Sequence, residues 1–266
     1  KIKKIFSNFN SYKDYFKDTE NAIWHEVKDN IIRFKPDWVG YTSYTANISA
    51  IKIISDHVKK VDPSIKQVVG GVHATLDSDI LNTLTSIDYS IQREGEEAFT
   101  ALVENKNPKF IPGVVSREKG GILFKTGIAP VIKDINNLPM PEREKFWNIP
   151  EHEKKNVDVS YVNTIRGCPY KCTYCASPFH WDRKTTRLRS PESVIEEMHL
   201  LKNNFYVPTN FDYAASANID EKDQLKIEDN TIVYFVDDVF TVHKKRVKKL
   251  LRMMIKDNLK MRWKCE

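Results

Sequence analysis

Residues 163–179 read NTIRGCPYKCTYCASPF, and they place three of the chain's four cysteines, Cys168, Cys172 and Cys175, within eight positions. The CxxxCxxC spacing offers three thiolates and no fourth, which suits a [4Fe-4S] cluster with one iron left open to another ligand. Each sulfur can reach its own corner of such a cluster only if the backbone wraps around it. Gly167 and Pro169 flank the first cysteine, where that wrapping demands a sharp turn. Zinc is the competing reading, but structural zinc draws four ligands, usually from paired CxxC units, and no second pair is present. Cys265 lies far along the sequence. A disulfide framework does not suit a chain this long with so few cysteines.

Working outward, the run VDVSYVNTIRG before the cysteines is β-prone through Val157, Val159, Tyr161, Val162 and Ile165. After them a helix starts cleanly. Ser190 can cap it, Pro191 suits its first position, and Glu192, Glu196 and Glu197 lie where the macrodipole favours acids. Val194, Met198, Leu201 and Phe205 recur at three- and four-residue steps and predict one buried face. The apolar strand 232–236 follows, then a helix with Val247, Leu250, Leu251, Met254 and Ile255 inward, then a short strand at 261–264. Strand alternating with helix predicts a parallel sheet with functional groups at the carboxyl ends of its strands. Asp237 and Asp238 occupy such an end, where they can face a cation or cap the following turn.

The first half repeats the alternation from residue 19 to 104. Ile23, Val27, Ile31 and Phe34 line a helical face that ends at Pro36, and 37–43 is strand-like. Ile51, Ile54, Val58 and Val61 mark the next helix, 65–69 the next strand, and 88–91 a third. This is an open doubly wound α/β pattern, which binds ligands beyond the carboxyl ends of its strands. Thr42 and Ser43, Gly70 and Gly71, and Glu94, Gly95 and Glu96 mark three such ends. Glycines there let a bulky ligand approach the backbone, or simply turn the chain.

In combination these stretches resemble a known family. RGCPYKCTYC is similar to the cluster loop of radical S-adenosylmethionine (SAM) enzymes, and PDWVGYTS, VVGGVHAT and REGEEAF resemble the cobalamin-binding domain that precedes the catalytic barrel in one large class of them. The resemblance implies an α/β chain: a doubly wound, Rossmann-like cobalamin domain over 1–107, a hairpin and linker over 108–150, and the first part of a (β/α) radical SAM barrel over 151–266, interrupted by an insertion at 207–230. It also implies that a strand and helix precede Lys1 and that later barrel strands follow Glu266, so the fragment alone is expected to be poorly active.

Carried over by position, Cys168, Cys172 and Cys175 become cluster ligands, Tyr174 a contact to the SAM adenine, and Asp237 and Asp238 contacts to SAM. Thr42, Ser43, Gly70, Gly71, Glu94, Gly95 and Glu96 become cobalamin contacts. The DxHxxG motif that supplies a histidine below cobalt is missing, and His25, His57 and His73 are isolated. The implied cofactors are a [4Fe-4S] cluster, SAM and cobalamin. The implied partners are a small-molecule or peptide substrate and a reducing donor of flavodoxin or ferredoxin type. Methyl transfer to an unactivated carbon is the leading reaction. The alternatives are a cyclase or rearrangement enzyme without functional cobalamin, and a non-catalytic remnant.

Composition agrees with a cytoplasmic enzyme: 266 residues, 41% hydrophobic and 29% charged, with no run long enough to span a bilayer. The net charge of +6 is concentrated between Lys244 and Lys264. Those cations alternate with an apolar helical face and lack an aromatic stacking platform, so they read as a solvated helix surface and not as a nucleic-acid site. Arg187 and Arg189 can approach a carboxylate of SAM or pair with helix acids. His180 and Trp181 are equally undecided.

Overall fold

The computed structural model describes residues 18–142, 159–181, 186–204 and 232–265. The opening strand-like residues 1–6, Val157, Phe205 and the insertion 207–230 lie outside them. The chain divides into two compact units, Lys1–Val131 with Thr173–Asp182, and Ile132–Cys172 with Arg183–Glu266.

In the first unit, α1 (Ala22–Phe34) leads into β1 (Trp38–Thr42), α2 (Ile48–Val61), β2 (Lys66–Gly70), the short helices α3 (Val72–Leu76) and α4 (Ile80–Thr83), β3 (Tyr89–Ile91) and α5 (Glu96–Val103). β1, β2 and β3 pair in parallel. The hairpin β4 (Val114–Arg117) and β5 (Leu123–Lys125) then extends the same sheet antiparallel, in the order β1-β2-β3-β4-β5. It turns at Gly120 and Gly121, both at positive φ, a conformation glycine adopts without strain. Val69, Ile51, Ala74, Leu81 and Leu84 bury one face of the sheet, and Val68, Ile91, Ala98 and Leu102 the other. In α1 the outcome differs from the periodic reading. Trp24 is buried, Val27 and Ile31 are half-buried, and Phe34 is exposed at the helix end.

The second unit holds a parallel three-stranded sheet in the order β10-β9-β6, from β6 (Val159–Val162), β9 (Ile232–Phe235) and β10 (Arg262–Cys265). A two-stranded ladder pairs β7 (Ile165–Arg166) with β8 (Arg187–Leu188). α7 (Pro191–Asn204) starts where the sequence places it, with the Ser190 hydroxyl accepting the N–H of Ser193 at 3.1 Å. Val162, Val233 and Phe235 pack against Val194, Met198 and Leu201 of α7 and Val247, Leu250 and Met254 of α8 (Lys244–Lys256). Each such side chain contributes roughly 1.5–3 kcal/mol by leaving water. Ile255 does not join them: it is 78% exposed, because the inward stripe of α8 is narrower than the sequence reading assumed. The α6 helix (Ser177–Trp181) groups with the first unit.

Candidate functional site

In the second unit the strand ends converge on one carboxylate. Asp237, two residues beyond β9, is only 3% exposed. It accepts the backbone N–H of Thr164 at 2.6 Å and of Ile165 at 2.8 Å, the Thr164 hydroxyl at 2.5 Å and the Asn163 amide at 3.4 Å. Burial pushes its carboxyl above the ordinary range, opposed by these donors and by Arg246. Arg246 on α8 donates to the Thr164 carbonyl at 3.2 Å and the Arg189 carbonyl at 2.8 Å, and burial pulls its own pKa down. Arg189 donates to the Asn163 carbonyl at 3.0 Å and pairs with buried Glu197, so the option of pairing with a helix acid is the one realised. Arg187 donates to the Ile132 carbonyl at 2.8 Å. The segment after β6 is therefore held from β9, α7 and α8 at once. Both oxygens of Asp237 are committed to the chain itself, whereas Asp238 is exposed.

That segment leads directly into the thiols. Gly167 takes φ +97°, a left-handed conformation that a side chain would strain, and Cys168 follows. Cys168 and Cys175 are half-buried, Cys172 is exposed, and all are free. Tyr174 is 91% exposed. Among the described residues no three His, Cys, Asp or Glu side chains are grouped so as to hold one metal ion.

On the sheet face turned away from α7 and α8, Tyr161, Tyr234 and Lys264 share one register row, one step before the strand ends. The tyrosine rings lie 5.9 Å apart, and the Lys264 ammonium sits 4.9 Å over Tyr234. Beyond this row a cavity of about 220 Å³ opens between Tyr161, Asn163, Arg166 and Val236 and the segment Leu138–Pro141.

In the first unit the strand ends bond mainly to one another. The Ser43 hydroxyl donates to the Gly70 carbonyl at 2.7 Å and accepts the Ala74 N–H at 3.0 Å. Gly71, at φ +96°, leaves no room for a side chain: a Cβ there would lie 2.9 Å from the Ser43 nitrogen and oxygen. Thus Ser43 and Gly71 hold β1 and β2 together, and the space a Gly71 side chain would need is taken by the neighbouring strand end. A Cβ at Gly70 or Gly95 meets only ordinary contacts. Thr42 and Glu96 are exposed, and Glu94 is buried. Three further side chains join this rim: the Thr45 hydroxyl lies 2.9 Å from His73 Nδ1, and the Thr75 hydroxyl accepts the Arg93 N–H at 2.8 Å. His180 Nδ1 lies 3.4 Å from the same Thr75 hydroxyl, with its ring edge-on to Trp181. A cavity of about 700 Å³ lies elsewhere in this unit, at the amino ends of β1 and β2 beside Pro36, Trp38 and Lys66.

Two family models match the chain, the B12 binding domain over residues 11–103 and the radical SAM superfamily over residues 162–262. The chain joins a B12-binding domain to a radical SAM domain. An uncharacterized methyltransferase of Pyrococcus horikoshii is 24% identical over 92% of this chain and 49% of its own length. The anaerobic magnesium-protoporphyrin IX monomethyl ester cyclase of Rubrivivax gelatinosus is 26% identical over 92% of this chain and 41% of its own. The chain thus spans less than half the length of either relative. The fold is shared with the cobalamin-dependent SAM radical enzyme OxsB, solved with aqua-cobalamin and SAM, at a TM-score of 0.63 and 17% identity over 90% of this chain and 31% of that one.

The radical SAM domain implies SAM and a [4Fe-4S] cluster, and the B12-binding domain implies cobalamin. The donor set suits the cluster: three free thiols at CxxxCxxC spacing in a loop entered through a positive-φ glycine. At the carboxyl ends of β1 to β3, exposed Thr42 and Glu96 and the uncrowded Gly70 and Gly95 leave a bulky group access, while Ser43 and Gly71 are engaged with each other's strands. The sequence reading missed Thr164 and Arg246. Thr164 stood in the quoted stretch without a role, and Arg246 was hidden in a run of solvent-facing cations.

Proposed function

We propose that the protein is a radical SAM enzyme whose Cys168, Cys172 and Cys175 hold a [4Fe-4S] cluster for SAM cleavage, and that it serves cobalamin-dependent methyl transfer to an unactivated carbon. The observation that carries this reading is the CxxxCxxC set of free thiols, directly after a buried, hydrogen-bonded strand end and inside the stretch that matches the radical SAM superfamily. When bound, the cofactors supply the reducing electron and the methyl carrier. The chain's own part is to bind and orient. Asp237 fixes the backbone entering the thiol loop, and on this reading exposed Asp238 would bind the SAM amino group and exposed Tyr174 would contact the adenine. Thr42, Gly70, Glu94, Gly95 and Glu96 form the cobalamin rim, with Ser43 and Gly71 shaping it from beneath. The substrate is a small molecule or peptide. A second reading, cyclisation, is favoured by the cyclase relative that matches 92% of the chain.

The test is anaerobic reconstitution of the intact gene product with iron, sulfide, SAM and hydroxocobalamin, followed by measurement of bound iron, bound cobalt and 5'-deoxyadenosine after reduction. Four irons, one cobalt and SAM cleavage support the proposal, and each Cys→Ala variant at the three positions is expected to lose iron. Zinc in place of iron overturns it. Iron and cleavage without cobalt keep the radical chemistry and remove the methyl carrier.

A further inference from the structure

The solvent face of α8 works against the helix that bears it. Lys244, Lys245, Lys248, Lys249, Arg252 and Lys256 are all exposed, and the helix contains no acid. Lys244 with Lys248, Lys245 with Lys249, Lys248 with Arg252, and Arg252 with Lys256 are like charges one turn apart, which repel. Lys244 and Lys245 also crowd the amino terminus, where the macrodipole already disfavours cations. Among the described residues, Lys249 pairs with Glu192 at 2.5 Å, and the other five cations form no ion pair. A face that served only for solubility would mix the two signs along i,i+4 steps, as those pairings stabilise a helix instead of straining it.

The position of the helix adds the second argument. Arg246, on its first turn, donates to the carbonyl of Thr164, from which only Ile165, Arg166 and Gly167 lead to Cys168. The cationic face thus begins at the strand end that feeds the thiol loop and extends about 18 Å along the helix. SAM carries a net positive charge, so this surface does not recruit it. No exposed aromatic lies on α8 for a base to stack against, which disfavours single-stranded nucleic acid.

We propose that this face of α8 is the docking surface for an acidic one-electron donor protein, a reduced flavin or iron–sulfur carrier whose negative rim surrounds its redox centre. The proposal rests on the radical SAM reading. For each SAM cleaved, the carrier is oxidised by one electron, which passes to the centre held by the thiols. Charge complementarity of this kind steers encounter and weakens with salt.

The experiment uses the intact, reconstituted gene product and its K244E/K245E variant. Both substitutions place acids at the helix amino terminus, four residues before Lys248 and Lys249, so the variant is expected to melt no lower than the parent. A K248Q/R252Q variant repeats the test without reversing charge. Oxidised flavodoxin is titrated against each protein at low and at raised salt, and SAM cleavage is driven separately by reduced flavodoxin and by dithionite. The expected result is at least tenfold weaker flavodoxin binding by K244E/K245E, a shallower salt dependence, and an unchanged dithionite-driven rate. Unchanged flavodoxin affinity in both variants overturns the proposal, as does unchanged flavodoxin affinity with weakened binding of a tRNA mixture, which would make the face a nucleic-acid surface. If the unaltered protein cleaves no SAM even with dithionite, the radical reading falls, while the titration still decides whether the face docks the carrier.

Discussion

Asp237 and Asp238 are adjacent in sequence and opposite in surroundings, and that contrast makes their roles separable. Asp237→Asn turns an amide NH2 toward donors that now face a carboxylate oxygen, from among the amide of Asn163, the N–H and hydroxyl of Thr164 and the N–H of Ile165, and removes the charge facing Arg246. The loss of a hydrogen bond to a buried charged acceptor costs about 2–3 kcal/mol, so chemical denaturation of the second unit should shift by that amount and iron retention should fall with it. Asp238→Asn should leave the transition within about 0.5 kcal/mol and instead weaken the SAM-induced change in the cluster's electron paramagnetic resonance spectrum. The reverse pattern would reassign the two acids. A pH dependence follows from the raised carboxyl of Asp237. A group whose folded value lies above its unfolded one adds stability below the unfolded value, and that addition is lost as pH rises through the folded value. From the ordinary value of 3.8 upward, this group's contribution should decline with pH in the parent protein and be absent in Asp237→Asn, which paired denaturation curves across that range would show.

At the scale of elements, the strands were legible because each is short, β-branched and bounded by turn residues, and their carboxyl ends lie where alternation with helices places them. What each end does was less legible, since a glycine's chemistry depends on what fills the space beside it. Gly71 illustrates this: the pair Gly70 and Gly71 suggested an open approach, but the Ser43 backbone occupies the Gly71 side. Gly71→Ala combines a crowded Cβ with an unfavourable φ and should destabilise the first unit by about 2–3 kcal/mol. Gly120→Ala, with open space around it, should cost about 1–2 kcal/mol from backbone strain alone. Denaturation of the two variants side by side separates crowding from strain. Helix faces were read well where the stripe is central and poorly at its margin. On α8, Val247, Leu250 and Met254 cluster within about 60° of one another at 100° per residue, while Ile255 lies about 100° past Met254 and meets water. The same run of cations concealed Arg246: at 100° per residue it lies about 40° from Leu250, at the margin of the inward stripe, but its partner, a buried carboxylate just beyond a different strand, is not visible in the period.

At the scale of the whole chain, the order of the two modules was readable from three motif-bearing strand ends and one cysteine loop, and both matched families lie in that order. Reaction class is not encoded there, because methyl transfer and cyclisation use the same cluster loop and the same cofactor domain, and the two relatives that match 92% of the chain carry different names, a methyltransferase and a cyclase. The two outcomes differ in how SAM is consumed. Methyl transfer through a cobalt carrier uses one SAM as the radical source and a second to restore the methyl group, so 5'-deoxyadenosine and S-adenosylhomocysteine should accumulate in equal amounts. Cyclisation uses SAM only as the radical source and leaves S-adenosylhomocysteine at background. Incubation of the reconstituted, intact gene product with dithionite, SAM and an extract of small molecules from its own cells, with both nucleosides quantified, should give the one-to-one ratio. 5'-Deoxyadenosine alone would instead place the protein with the cyclases, leaving the thiol assignment standing and removing methyl transfer.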